Sequence, residues 1–209
     1  MKPVIITGTD TDIGKTVFAA GLTHALQAHY WKPVQAGLDG ETDSQTVARL
    51  SGAQTLPEAY RLKMPASPHL AAEAEGIEIA PALLALPRTT GPLVVEAAGG
   101  LMVPLNRQTL FLDVIATWQT PVILCARTAL GTINHSLLSL AALRHANCPI
   151  IGIAFVGETN PAVERTICDF GAVPHLGCLP RLAPLNPDTL MQAFATHIDL
   201  TTIRKGLLP

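Results

Sequence analysis

Short apolar runs rich in β-branched residues recur along the chain at 3–7, 30–35, 92–96, 121–127 and 149–155, and the segments between them carry helical spacing. Runs of this kind read as strands buried on both faces. Their alternation with helices predicts an α/β fold with a mostly parallel sheet and helices on both faces. Over 14–28, Val17, Ala20, Gly21, His24, Ala25 and Ala28 form a narrow face of small residues that lets a helix lie close on the sheet. A second helix is expected over Asp43 to Leu50, with Thr42 or Asp43 as its cap.

Farther along, the pattern predicts helices at about 109–118, along GTINHSLLSLAALRHA (a buried one), along NPAVERTICDFG, and along NPDTLMQAFATHI with a cap near Asn186 or Asp188. The intervening AVPHLGCLP reads as a short strand leaving the sheet. The least regular portion is 56–92, where six prolines interrupt two short Ala- and Leu-rich segments at 69–75 and 80–86.

Composition narrows this picture. With 209 residues, 48% of them hydrophobic and 14% charged, the chain is expected to form one domain over 1–209 with a large buried core. A net charge of -2 supplies no broad basic field for nucleic acid or an anionic membrane, so an anion must be held by a local site. No leader pattern opens the sequence and no run reaches the roughly 18 apolar residues of a membrane span, so a cytoplasmic location is expected. Cys125, Cys148, Cys168 and Cys178 form no C-x-x-C pair and read as reduced, buried small hydrophobes.

Candidate chemistry begins in VIITGTDTDIGKTV, residues 4–17. A strand, a glycine turn and a helix opening on Gly14-Lys15-Thr16 aim several main-chain amides at one point, which the helix dipole makes favourable for phosphate. Lys15 adds a mobile charge, and Thr16 offers a hydroxyl to a Mg²⁺ ion bridging two phosphates. The usual four-residue spacer would put glycine at position 9, where this chain has Thr9; Gly8 stands one residue earlier. Glu96 at the end of an apolar strand and Asp43 after the second run are the candidate carboxylates for the ion, with a solvated strand end and a plain helix cap as their competing readings. Lys32, in YWKPVQAG, is either an active-site cation or an edge lysine reaching water. The seven histidines have no metal-ligand spacing; His69 and His135 attract notice only through their neighbours.

Together GTDTDIGKT, KPVQAG, the Thr42-Asp43 pair, SPH at 67–69, VVEAAGG and LGTINH resemble the dethiobiotin synthase family, in order and over nearly the whole chain. The longer spacer from Gly8 is itself a feature of that family. The resemblance implies a P-loop NTPase-like homodimer acting on 7,8-diaminononanoate, CO₂ and ATP or another nucleoside triphosphate with Mg²⁺. Also implied are a catalytic Lys15, Lys32 and Thr11, and a nucleotide site of Asp12, Ile13, Gly14, Lys15, Thr16, Glu96 and Gly99. Thr16, Asp43 and Glu96 would surround the metal, and Lys32, Ala36, Gly131, Thr132 and Asn134 the substrate, the last three across a dimer interface. Three departures stand out: Ala36 removes a hydroxyl common in relatives, Ala97 adds a methyl that would narrow the substrate floor, and Val156 replaces an Asn that reads adenine, leaving the preferred base open. A related amide-forming ligase and an ATP-switched partitioning or assembly protein share the loop; the first usually needs a further domain, and the second typically carries another lysine in the loop, where this chain reads Thr-Asp-Thr-Asp-Ile.

Overall fold

The computed structural model describes residues 1–208. Its centre is a seven-stranded sheet ordered β4-β2-β6-β1-β7-β8-β9, with every strand pair parallel. In chain order these strands are β1 (Val4–Gly8), β2 (His29–Trp31), β4 (Thr55–Leu56), β6 (Leu93–Gly100), β7 (Val122–Arg127), β8 (Ile150–Val156) and β9 (His175–Leu179). The helices are α1 (Lys15–Leu26), α2 (Asp43–Ser51), α3 (Pro68–Ala74), α4 (Phe111–Trp118), α5 (Thr132–His145), α6 (Pro161–Gly171), α7 (Pro187–His197) and α8 (Leu200–Gly206). Alternation along β1 divides the core between the two faces. Val4 and Ile6 pack with Phe18, Leu50, Phe194 and Ile203 on one side, whereas Ile5 packs with Ala71, Phe111 and Val114 on the other.

Four expectations change. The run at 30–35 is two strands: β2 stays in the main sheet, while β3 (Val34–Ala36) pairs with β5 (Tyr60–Leu62) in a sheet of its own. Pro33 divides them, because it has no N–H for a ladder; its carbonyl instead accepts from the amides of Ala59 and Tyr60. Secondly, β9 joins the sheet beside β8 rather than leaving it. Leu176 and Leu179 are fully buried there, and Gly152 admits the carbonyl of Pro174, which would lie 2.5 Å from any Cβ at that position. Thirdly, α5 is not a buried helix. Its inner face is Thr132, Ser136, Leu140 and Leu143, while Leu138 is 61% exposed.

Lastly, the small-residue face of α1 serves a neighbouring helix as well as the sheet. A Cβ on Gly21 would meet the Phe194 ring of α7 at 2.2 Å, and Phe194 packs on Phe18 with ring centroids 5.2 Å apart. Cys125 and Cys148 are buried, and Cys168 and Cys178 half-buried, all as free thiols. No helix among the described residues is long and apolar enough to cross a membrane. The carboxyl ends of β1, β2 and β6 lie side by side, so the turns and side chains that follow them meet in one place.

Candidate nucleotide and substrate site

The turn after β1 folds tightly back on itself. A Cβ on Gly8 would lie 2.6 Å from the tip of Ile13 and 2.9 Å from Cδ of Lys15, so the turn closes only over a glycine. Asp12 and Gly14 take left-handed conformations (φ 53 and φ 91), which deliver the chain into α1. The opening amides of α1 have no intrahelical acceptor and form the anion-binding end of the helix. Lys15 is buried, with its ammonium donating to the carbonyl of Asp10 at 2.7 Å. Burial pushes its pKa down, Glu96 partly offsets this, and nearby Lys32 adds to the lowering. The side chain of Asp10 accepts from the amide of Thr11 at 2.8 Å and meets Arg127 at 3.3 Å.

Asp43, Glu96, Thr16 and Lys32 converge beside this turn. The hydroxyl of Thr16 is 3.0 Å from Oδ1 of Asp43 and 2.9 Å from Oε1 of Glu96; its single hydrogen serves one of them at a time. The Lys32 ammonium is 2.5 Å from Oδ2 of Asp43, 3.1 Å from Oε1 of Glu96 and 3.3 Å from the carbonyl of Ala97. Tyr30 donates its hydroxyl to Oε2 of Glu96 at 2.8 Å. The competing readings therefore fall away. Glu96 is 1% exposed rather than a solvated strand end, and Lys32 is 4% exposed rather than an edge lysine reaching water. Asp43 is not the cap of α2: Thr42 accepts from the amide of Gln45, whose side chain returns to the amide of Thr42. The Asp43 carboxylate is thereby left to the cluster, and its amide is held by Oε1 of Gln35 at 3.1 Å.

The electrostatics follow from this packing. Burial alone would lower the pKa of Lys32, but Glu96 and then Asp43 more than offset it and hold the ammonium charged. Burial would raise Asp43, and the Lys32 charge outweighs it, keeping the carboxyl below its ordinary range. Burial followed by Glu96 pushes Tyr30 well above the usual phenol value, so it stays a donor. Thr16, Asp43 and Glu96 present three hard oxygen donors, two of them carboxylates, at contact distance. This donor set fits Mg²⁺, which takes one or two carboxylates and completes its shell with phosphate and water. It does not resemble an all-protein metal cage, and among the described residues no group of three or more His, Cys, Asp or Glu has metal-binding geometry.

Two cavities meet at this cluster. One of about 300 Å³ runs along the turn and the start of α1, past Gly14, Lys15, Thr16 and Glu96. Another of about 500 Å³ is lined by Val34, Gln35, Ala36, Pro65–Pro68, Ala98 and Val103. Thr11, Asp12, Lys32, Asp43 and Gly99 line both. Ile13 faces away from either one, buried in the core on the α1 side. Gly131, Thr132 and Asn134 line neither cavity of their own chain: they sit at the start of α5, with Gly131 and Asn134 exposed and Thr132 turned inward toward Ser136. Ala97 also differs from expectation, since its methyl is packed wholly in the core and Ala98 and Gly99 line the cavity instead. Val156 stands against the phosphate turn, where its Cγ1 would lie 2.6 Å from a Cβ on Gly14. Sequence reasoning missed Tyr30, Gln35, Asp10 and Arg127. The sole signal for Tyr30 and Gln35 is a polar group beside Lys32 in an otherwise apolar run.

The profile of the family described as an AAA domain matches residues 2–189. An ATP-dependent dethiobiotin synthetase BioD of Agrobacterium fabrum is 64% identical over 199 residues, covering 94% of each chain. The chain belongs to the dethiobiotin synthetase family. Dethiobiotin synthetases of Rhodopseudomonas palustris (strain HaA2) and Nitrobacter hamburgensis are 59% and 58% identical, over 95% and 97% of this chain and 94% and 97% of their own. Among solved structures, a ParA family ATPase from Chlorobium tepidum superposes with a TM-score of 0.58 at 10% identity, over 99% of this chain and 98% of that one. A MinD cell-division ATPase from Pyrococcus furiosus does so at 0.53 and 12%, over 92% and 89%. At such identities these two share the P-loop fold alone, and the partitioning reading gains nothing over the dethiobiotin synthetase family from them.

Proposed function

We propose that the chain converts 7,8-diaminononanoate, CO₂ and ATP into dethiobiotin, ADP and phosphate, with the reaction centred on Lys32. The observation that carries this reading is that Lys32 lines both cavities at their junction, between a phosphate-binding turn and a half-apolar pocket suited to an aliphatic diamine. One amine nitrogen attacks CO₂, forming a C–N bond and releasing a proton to give a carbamate. A carbamate oxygen then attacks the γ-phosphorus as its bond to ADP breaks. The second amine attacks the carbonyl carbon of this mixed anhydride, phosphate leaves, and loss of a proton completes the ureido ring.

The residues assist by placement and charge, as phosphoryl transfer requires. Lys15 exchanges the carbonyl of Asp10 for phosphate oxygens, and the amides around Asp12, Ile13 and Gly14 receive the rest. Lys32 faces the carbamate and the γ-phosphate, and Thr11, on the wall shared by both cavities, lies beside them. Thr16, Asp43 and Glu96 would hold Mg²⁺, which when bound neutralises phosphate charge. Gly99 and Ala36 floor and flank the diamine.

Gly131, Thr132 and Asn134 receive the substrate carboxylate from a second copy of the chain in a homodimer. The wholly exposed Leu130 and the partly exposed Ile133 beside them support that contact. Val156 offers the base no side-chain amide, so nothing in the side chains favours one base. Incubation with diaminononanoate, bicarbonate, Mg²⁺ and each of ATP, GTP and CTP tests the reading; the ureido product is expected with ATP, and its absence with all three rejects it.

A further inference from the structure

Ser67 occupies the N-cap position of α3 and makes no capping bond. A serine there normally accepts from an amide in the first helical turn. In this chain Pro68 has no N–H to offer, the amide of His69 is taken by the carbonyl of Pro104 at 3.3 Å, and the amide of Leu70 does not bond the Ser67 hydroxyl either. The Ser67 hydroxyl is thus released from the backbone. It lines the 500 Å³ cavity, and its oxygen lies 3.1 Å from Nδ1 of His69.

On the side of the cavity formed by Lys32, Gln35 and Asp43 the polar groups are committed to one another. Gln35 bonds the carbonyls of Ala36 and Gly37 and the amide of Asp43, and Lys32 and Asp43 hold each other. Ala36, across the same cavity lining, has no hydroxyl. In the Nε2–H tautomer of His69 the Ser67 hydroxyl donates to Nδ1 and presents only lone pairs to the cavity, which suits an N–H donor and not a carboxylate or phosphate oxygen.

Resting on the reaction proposed above, we infer that Ser67 is a substrate-positioning residue that accepts a hydrogen bond from an amine of the diamine, with His69, protonated on Nε2, orienting it through Nδ1. The hydroxyl that Ala36 lacks is supplied from the 65–68 segment instead. Arg107 pairs with Glu73 through two bonds of 2.6 Å, and with the His69–Pro104 bond it links α3 to the loop after β6.

The test uses the full chain and two readouts, the calorimetric affinity for diaminononanoate without nucleotide and the KM for each substrate. Ser67→Ala should weaken diamine affinity and raise its KM about tenfold, the value of one hydrogen bond to an amine. The nucleotide KM and the melting temperature should stay put, the latter within about 2 °C because no cap is lost. Ser67→Thr should restore the diamine affinity. His69→Ala should act in the same direction, and the double variant should be no worse than Ser67→Ala alone, as two residues in one chain of bonds require. An unchanged diamine affinity in Ser67→Ala, or additive effects in the double variant, overturns the inference. Wild-type protein that forms no ureido product with the diamine fails the reaction itself, which is a separate result.

Discussion

The ammonium of Lys32 lies 2.5 Å from Oδ2 of Asp43 in the gap between β2 and the start of α2, and reaches Glu96 from the same position. One lysine thereby compensates two carboxylates, one of them entirely buried, at a place where nucleotide and substrate would meet. The charge serves the fold before it serves any chemistry.

Removing it should therefore cost stability as well as turnover. Lys32→Ala leaves Glu96 and Asp43 facing each other unpaired, and a loss on the order of 3 kcal/mol in unfolding free energy is expected from urea denaturation. Added Mg²⁺ should recover part of that loss in the variant, because a divalent ion on the same oxygens replaces the missing charge. A variant as stable as wild type, or indifferent to Mg²⁺, would show that the carboxylates are not held together in this way.

The pH dependence of stability has two limbs. Asp43 is held below its ordinary value of 3.8, so its contribution is complete above that pH and is lost as pH falls through the lower folded value. Lys32 is held above 10.5, so its contribution is complete below that pH and is lost as pH rises through the higher folded value. Comparing the wild type with Asp43→Asn by thermal denaturation should reveal an acid limb below about pH 3.8 that the variant lacks in part.

Lys15 shifts the opposite way, and nucleotide should reverse it. Burial lowers its pKa in the resting protein, and a polyphosphate beside it raises that pKa again. Binding then takes up a proton at alkaline pH, so affinity should fall as pH rises through the resting value. Calorimetry in buffers of different ionisation enthalpy measures the uptake directly. Lys15→Ala should abolish it and raise the barrier to turnover by roughly 3 kcal/mol; uptake that persists in the variant belongs to another group.

Gly14 tests the turn itself. Gly14→Ala forces an L side chain to φ 91 and brings its Cβ to 2.6 Å from Val156, so nucleotide affinity should drop at least tenfold by equilibrium dialysis. Gly52→Ala is the control. Gly52 has a similar φ of 68 but open space around it and no part in either cavity, so the same substitution there should leave affinity unchanged.

Much of this was readable from residue order alone, because buried parallel strands are unbroken apolar runs and phosphate turns need glycine at fixed places. β1, β6, β7 and β8 appear where the runs are, and Lys15, Thr16, Asp43 and Glu96 meet as their positions after successive strands suggest. What stayed hidden depends on groups distant in sequence. Pro33 looks like one residue of a strand until its neighbours pair with different sheets. Tyr30 becomes a site residue only because Glu96, 66 residues later, ends beneath it. Gly131 and Asn134 carry a recognisable motif, yet both are exposed and line neither cavity of their own chain, so the part proposed for them needs a second copy that one chain's pattern of burial does not supply.

The most direct measurement is a crystal structure with a non-hydrolysable ATP analogue, Mg²⁺ and diaminononanoate. The account predicts phosphates against the main chain of residues 11–16, with the Lys15 ammonium moved from Asp10 onto them and the diamine in the adjoining cavity beside Lys32. Phosphates bound elsewhere, with Lys15 still on the carbonyl of Asp10, would contradict it.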